Sequence, residues 1–329
     1  MNSKEIRIVY MGTPDFAVAP LKSLVNQGYR VVGVVTMPDK PVGRHQNVLQ
    51  ASPVKEYALQ AGLPVLQPLK LKDEAFLDEL RSLEAHLQIV VAFRMLPQTV
   101  WSMPPMGTFN LHASLLPRYR GAAPINWALI NGEQETGNTT FFLDQEIDTG
   151  GIILQERVPI ADSDNAGTLH DRLMELGARM VCDTVDRIAR GDCHATPQSL
   201  ITAGVGELPA APKIFKETCE IDWTMGGRRI FNFVRGLSPY PAAWTTFVQP
   251  SGESLVIKIY DTLYEPGTPA APVGTLFSDG RSYLKVTVSD GTLSILSLQP
   301  AGKRRMTIRE FLCGYREADM LKIKFPLGA

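Results

Sequence analysis

The 329-residue chain has only four cysteines, Cys182, Cys193, Cys219 and Cys313, and no two of them form a Cys-x-x-Cys pair. That spacing offers neither a zinc site nor a redox dithiol, and it reads as core thiols in a reducing, cytoplasmic compartment. Long apolar runs are also missing. The longest, Leu87 to Phe93, falls far short of the roughly 20 residues that cross a bilayer, so no membrane partner is expected. The opening residues lack a charged segment followed by a long apolar one, which argues against a signal peptide. A formal net charge of -1 excludes a globally basic nucleic-acid binder. The phosphate-binding glycine patterns are absent as well. The turn Gly12-Thr13-Pro14 lacks the Gly-x-Gly-x-x-Gly spacing that lets a pyrophosphate approach the backbone, and there is no Gly-x-x-x-x-Gly-Lys-Ser/Thr loop, which disfavours dehydrogenase and ATP chemistry. Ser114 lies in no Gly-x-Ser-x-Gly elbow. His45, His86, His170 and His194 have no neighbours that would make a metal site or a triad, so no metal is expected.

What is present is an ordinary globular composition, 44% hydrophobic and 20% charged, in a chain long enough for two domains. Apolar strands are expected at Ile6 to Tyr10, Val31 to Thr36, Pro64 to Leu66, Leu87 to Phe93 and Thr108 to His112. Between them come helices: one capped by Thr13 with Pro14 first and Gly28 last, one from Ser52-Pro53 to Gly62, and one carrying Phe76, Leu77, Leu80 and Leu83. Such alternation means a mostly parallel sheet covered on both faces, an α/β fold. A helix at Pro124 to Ile130, strands at Thr139 to Leu143 and Gly151 to Pro159, and a long helix stopped by Gly191 complete a first domain over 1–195. The stretch 196–212, poor in apolar runs, reads as a linker. In 213–329 a helix between Thr224 and Arg235 precedes about five short strands with Gly and Asp turns, which suggests a small OB-like β-barrel. Trp223, Phe231, Phe233 and Trp244 read as core of this domain. Charge is uneven: from Glu207 onward there are 15 Lys and Arg against 12 Asp and Glu, and before it 18 against 22.

Asn110 and His112 are two apart on a strand, which directs both to one face, and they stand at its C-terminal end, where open parallel sheets place ligands. An amide beside an imidazole suits an oxygen that becomes negative when an amine attacks a carbonyl-like carbon. Asp148, on a turn able to fold back over that site, would set the charge of the imidazole or move a proton. Spacing alone leaves the alternatives open: Asn110 and His112 fit loop residues bonded to backbone, and Asp148 fits a turn former.

The run Asn110-Leu111-His112-Ala113-Ser114-Leu115-Leu116-Pro117-Arg118-Tyr119-Arg120-Gly121 resembles the signature of the folate-dependent formyltransferases, and Asp148-Thr149-Gly150-Gly151-Ile152 resembles their second block. Gly12 to Ala17, Pro38 to Arg44, Ser52 to Lys55, Ala211 to Ile214 and Leu298 to Lys303 are similar to the branch that acts on initiator methionyl-tRNA, so the resemblance spans nearly the whole chain. It implies a Rossmann-like formyltransferase domain followed by an OB-like one, with 10-formyltetrahydrofolate as formyl donor and initiator methionyl-tRNA as acceptor. No obligate protein partner is expected. It implies that Asn110, His112 and Asp148 are catalytic. It further implies that the Val91 to Leu96 loop (Phe93, Arg94, Met95, Leu96) and the run Ser114, Leu115, Leu116 and Pro117 hold the folate, largely through backbone.

By the same resemblance the Met37 to Gln50 loop reaches the acceptor end of the tRNA, with Arg44 against its unpaired end. Many relatives follow the Gly-Arg pair with lysines, whereas here His45, Gln46, Asn47 and Val48 follow, so fewer phosphate contacts are expected from this loop. In the second domain Lys213, Lys216, Lys303, Arg304 and Arg305 fit either tRNA-backbone ligands or a solvated charged face. The rival expectations are a formyltransferase acting on glycinamide ribonucleotide or a sugar amine, and a folate- or nucleic-acid-binding module without activity.

Overall fold

A computed structural model describes residues 2–42, 48–203, 206–315 and 318–325. The chain divides into two compact units. The first comprises 1–121, 136–158 and 170–210, and the second 122–135, 159–169 and 211–329. This differs from the contiguous division read from the sequence. Residues 122–135 join the second unit because the helix Pro124–Ile130 packs on the helix Gly227–Leu237: Asn126 Nδ2 donates to the Gly236 carbonyl at 2.7 Å, and Trp127 Nε1 to that of Pro212 at 2.8 Å. A Cβ on Gly236 would stand 2.7 Å from Ile130 Cγ1, so only glycine permits this approach.

The first unit is built on a seven-stranded sheet in the order Val65–Leu66, Val31–Val35, Ile8–Gly12, Leu87–Val91, Thr108–His112, Glu135–Phe142, Ile152–Pro159. The first five are parallel, and Glu135–Phe142 runs antiparallel to Thr108–His112. Ile8–Gly12 and Leu87–Val91 are buried at every position, as central parallel strands covered on both faces must be. Ser52 caps the helix Pro53–Gln60 by accepting from Lys55 N at 3.1 Å, and Gly191, at φ 70°, ends the long helix Ala166–Arg190.

Three local expectations change. Thr13 does not cap a helix: Pro14, extended at ψ 176°, leads into a 3-10 turn Asp15–Ala17 before the helix Val18–Asn26, and the Thr13 hydroxyl is buried without a partner among the described residues. The strand expected from Thr139 begins at Glu135, because its extra residues include buried polar ones that show no apolar pattern. Asn138, for example, donates to the Leu173 carbonyl at 2.7 Å. The segment taken as a linker contains a short helix, Gln198–Thr202, and Gln198 is buried.

The second unit is a curled antiparallel sheet in the order Leu276–Ser278, Leu284–Val288, Gly291–Pro300, Ser254–Pro266, Ala243–Val248, Lys322–Lys324. The strand expected at Leu255 to Tyr260 continues to Pro266 through register shifts on both sides of Asp261, and such shifts let one strand bend with the curl. Trp223, Phe247 and Phe311 lie fully inside, with Trp223 Nε1 donating to Thr245 Oγ1 at 2.9 Å.

Candidate active site

The strand Thr108–His112 pairs with Leu87–Val91 on one side and Glu135–Phe142 on the other, so Asn110 lies between Val90 and Phe141 and His112 opposite Thr139. The alternation of a strand puts both side chains on one face. His112 is buried at 7% exposure, with its ring edge-on to Phe141. Asn110 is half-buried, and its amide has no hydrogen-bond partner among the described residues, which leaves it available to a ligand.

His112 Nε2 lies 2.9 Å from the carbonyl oxygen of Tyr119. A carbonyl only accepts, so Nε2 carries a proton and the chemistry of the ring is left to Nδ1. That atom faces Asp148 Oδ2 at 3.9 Å, too far for a direct hydrogen bond. Asp148 adopts the left-handed region at φ 57°, uncommon outside glycine, and its Oδ2 accepts from Gly121 N at 2.9 Å. His112 and Asp148 thus face each other, and Asn110 shares the face of its strand with His112, at the C-terminal end of the parallel strands.

Residues 5–185 match the family model for formyl transferase, and 213–316 match that for the formyl transferase C-terminal domain. This chain belongs to the formyl transferase family. A methionyl-tRNA formyltransferase of Parabacteroides distasonis is 60% identical over 317 residues, covering 96% of this chain and 98% of its own. One from Bacteroides thetaiotaomicron is 58% identical over 325 residues, covering 98% and 100%. Among solved structures, an N-formyltransferase from Helicobacter canadensis, in complex with folinic acid and dTDP-3-aminofucose, superposes with a TM-score of 0.64 at 19% identity, covering 92% of this chain and 100% of that one. That likeness shows the fold, a Rossmann-like unit and a curled β unit.

Other residues singled out from the family resemblance are placed as follows. After Val91, which pairs with Leu111, the loop Phe93 to Leu96 leaves the C-terminal end of its strand, with Leu96 buried and Met95 72% exposed. Arg94 is no free anion ligand: its Nη1 and Nη2 donate to the carbonyls of Leu69 and Pro68 at 2.9 and 2.5 Å, and burial draws its pKa down. The run Ser114 to Pro117 is tied to Thr139, whose hydroxyl donates to Ser114 O and accepts from Leu116 N, while Gln155 Nε2 donates to Leu116 O. In the second unit Lys213 lies 5.4 Å over the Phe215 ring, Arg304 pairs with Glu310 at 2.7 Å, and Arg305 covers the Tyr260 ring at 4.4 Å. Lys216 and Lys303 are exposed. Arg44 lies outside the described residues. Gln198, which the sequence reading missed, donates from Nε2 to the carbonyls of Asp148 and Gly150, both at 2.9 Å. No motif could have revealed it, since a buried amide in a segment without apolar pattern looks like any polar loop residue.

Proposed function

We infer that this chain transfers the formyl group of 10-formyltetrahydrofolate to the α-amino group of methionine on initiator methionyl-tRNA, in the cytoplasm. The observation that carries the reading is the identity of 60% across essentially the full length of a methionyl-tRNA formyltransferase. The geometry around His112 supports it chemically.

The neutral amine attacks the formyl carbon, and the formyl oxygen gains the negative charge. Asn110 donates to that oxygen from its amide, and His112 donates through Nδ1 in the imidazolium form, since Nε2–H is already committed to Tyr119. Asp148, 3.9 Å from Nδ1, balances the ring's charge and accepts the proton released by the new amide nitrogen. The carbon–nitrogen bond to the folate then breaks, and the folate nitrogen leaves with the proton that Asp148 had taken up. The folate is held by Phe93 to Leu96 and by Ser114 to Pro117. Arg94 serves that loop by bracing it on Pro68 and Leu69. The Arg44 loop takes the acceptor end of the tRNA, and residues 213–329 attract its backbone through Lys213, Lys216 and Lys303, while Arg304 is held by Glu310.

The test is formylation of charged initiator tRNA beside charged elongator tRNA, with 10-formyltetrahydrofolate as donor. Strong preference for the initiator is expected. Failure to formylate either, with activity on a small amine instead, overturns the tRNA reading.

A further inference from the structure

Gln198 lies in the stretch between the two segments that match the family models, and its amide is used completely. Both N–H groups donate to backbone, to the carbonyls of Asp148 and Gly150. Its Oε1 accepts twice from Arg120, from Nε at 3.2 Å and Nη2 at 2.6 Å. A carboxamide has two donors and two acceptor lone pairs, so no capacity is left over. The side chain is 2% exposed, where a hydrogen bond is not weakened by competing water.

The partners of this amide are the two segments that make the site. In Tyr119-Arg120-Gly121, Tyr119 O fixes His112 Nε2 and Gly121 N fixes Asp148 Oδ2, while the Arg120 side chain between them grips Gln198. The other partner is the turn on which Asp148 holds its left-handed backbone. The chain around Gln198 is itself anchored to both. Thr196 and Ile152 exchange backbone hydrogen bonds at 2.8 Å, and Pro209 O accepts from Tyr119 N at 2.6 Å.

We propose that Gln198 is a positioning residue for formyl transfer: its amide locks the Asp148 turn to the Tyr119 to Gly121 segment and so sets the separation of Asp148 from His112. The inference rests on the catalytic reading of that pair. Only a carboxamide of this length meets the requirement. Glutamate would keep the pairing with Arg120 but turn an acceptor toward the two carbonyls and add a negative charge beside Asp148. Alanine would leave the carbonyls and Arg120 without their buried partner.

The experiment measures kcat, the donor KM and the thermal midpoint for Gln198→Glu, Gln198→Ala, Asp148→Asn and the double variant Gln198→Ala/Asp148→Asn, with charged initiator tRNA as acceptor. A misplacement of about 1 Å at a reacting group costs on the order of 100-fold in rate. We expect kcat to fall by about that factor in both Gln198 variants, with the donor KM near native and a thermal midpoint that stays above the assay temperature. In the Asp148→Asn background the Gln198→Ala change should add little, because its effect passes through the same carboxylate. Native kcat in the Gln198 variants beside a crippled Asp148→Asn overturns the positioning role alone. So does an equal loss in both backgrounds, which marks Gln198 as a scaffold residue. Near-native turnover in Asp148→Asn overturns the catalytic reading and this inference with it.

Discussion

His112 points Nε2 at the carbonyl oxygen of Tyr119, 2.9 Å away, and this one hydrogen bond decides which nitrogen can meet a substrate. The strand places the ring, but Tyr119, seven residues later and itself at φ 60°, selects the tautomer and turns Nδ1 toward Asp148.

The first expectation follows from that polarity. In the proposed mechanism His112→Ala and Asn110→Ala each remove a donor that matters most once the formyl oxygen is charged, so each should lower kcat by about 100- to 1,000-fold while donor affinity changes little. Steady-state kinetics beside equilibrium folate binding measures both; near-native turnover in either variant removes that residue from the oxyanion site.

Asp148→Asn keeps the side-chain shape, and asparagine tolerates the left-handed backbone at φ 57°. Only the charge opposite Nδ1 disappears. Turnover should fall across neutral pH and its dependence on pH should change form, because kcat reports the ionising groups of the substrate complex. A profile identical to that of the unaltered chain would take Asp148 out of proton and charge handling.

Acceptor binding should separate the lysines from the arginines of the second unit. Lys216 and Lys303 are exposed, whereas Arg304 is paired with Glu310 and Arg305 is bonded to Ser297 Oγ at 2.9 Å. Lys216→Glu or Lys303→Glu should weaken initiator tRNA binding and flatten its logarithmic salt dependence by about one unit for each phosphate that is no longer neutralised, with folate binding unaffected. Equal salt slopes for the variants and the original chain would place the tRNA elsewhere.

Stability in acid offers a further check. The Glu310 carboxyl is drawn from 4.5 down to about 2, first by the hydrogen bond from Arg304, then by the backbone N–H and the hydroxyl of Thr307. A depressed carboxylate contributes stability above its unfolded value and loses it as pH falls through the folded one. Glu310→Gln should therefore lower the thermal midpoint near neutral pH, and the gap from the unaltered chain should close between about pH 4.5 and pH 2. A gap that stays constant over that range would mean that the capping geometry at Thr307, and not the charge, supplies the effect.

The sequence by itself determined the alternation of buried strands and capped helices, because apolar period and cap chemistry are local properties. Ile8–Gly12, Leu87–Val91 and Thr108–His112 are central strands on the strength of their own residues. It also determined the motif residues Asn110, His112 and Asp148, whose types and order carry the family likeness. It did not show that 122–135 belongs with the second unit, since that rests on Asn126 and Gly236 meeting across 110 residues of chain. It did not show that Arg94 is spent on two carbonyls, or that the stretch read as a linker delivers a buried Gln198 to the turn of Asp148. Those facts depend on which backbone donors and acceptors remain unpaired once the sheet has formed. A polar side chain buried to satisfy them leaves no periodicity in sequence, and only the folded chain brings its partners within reach.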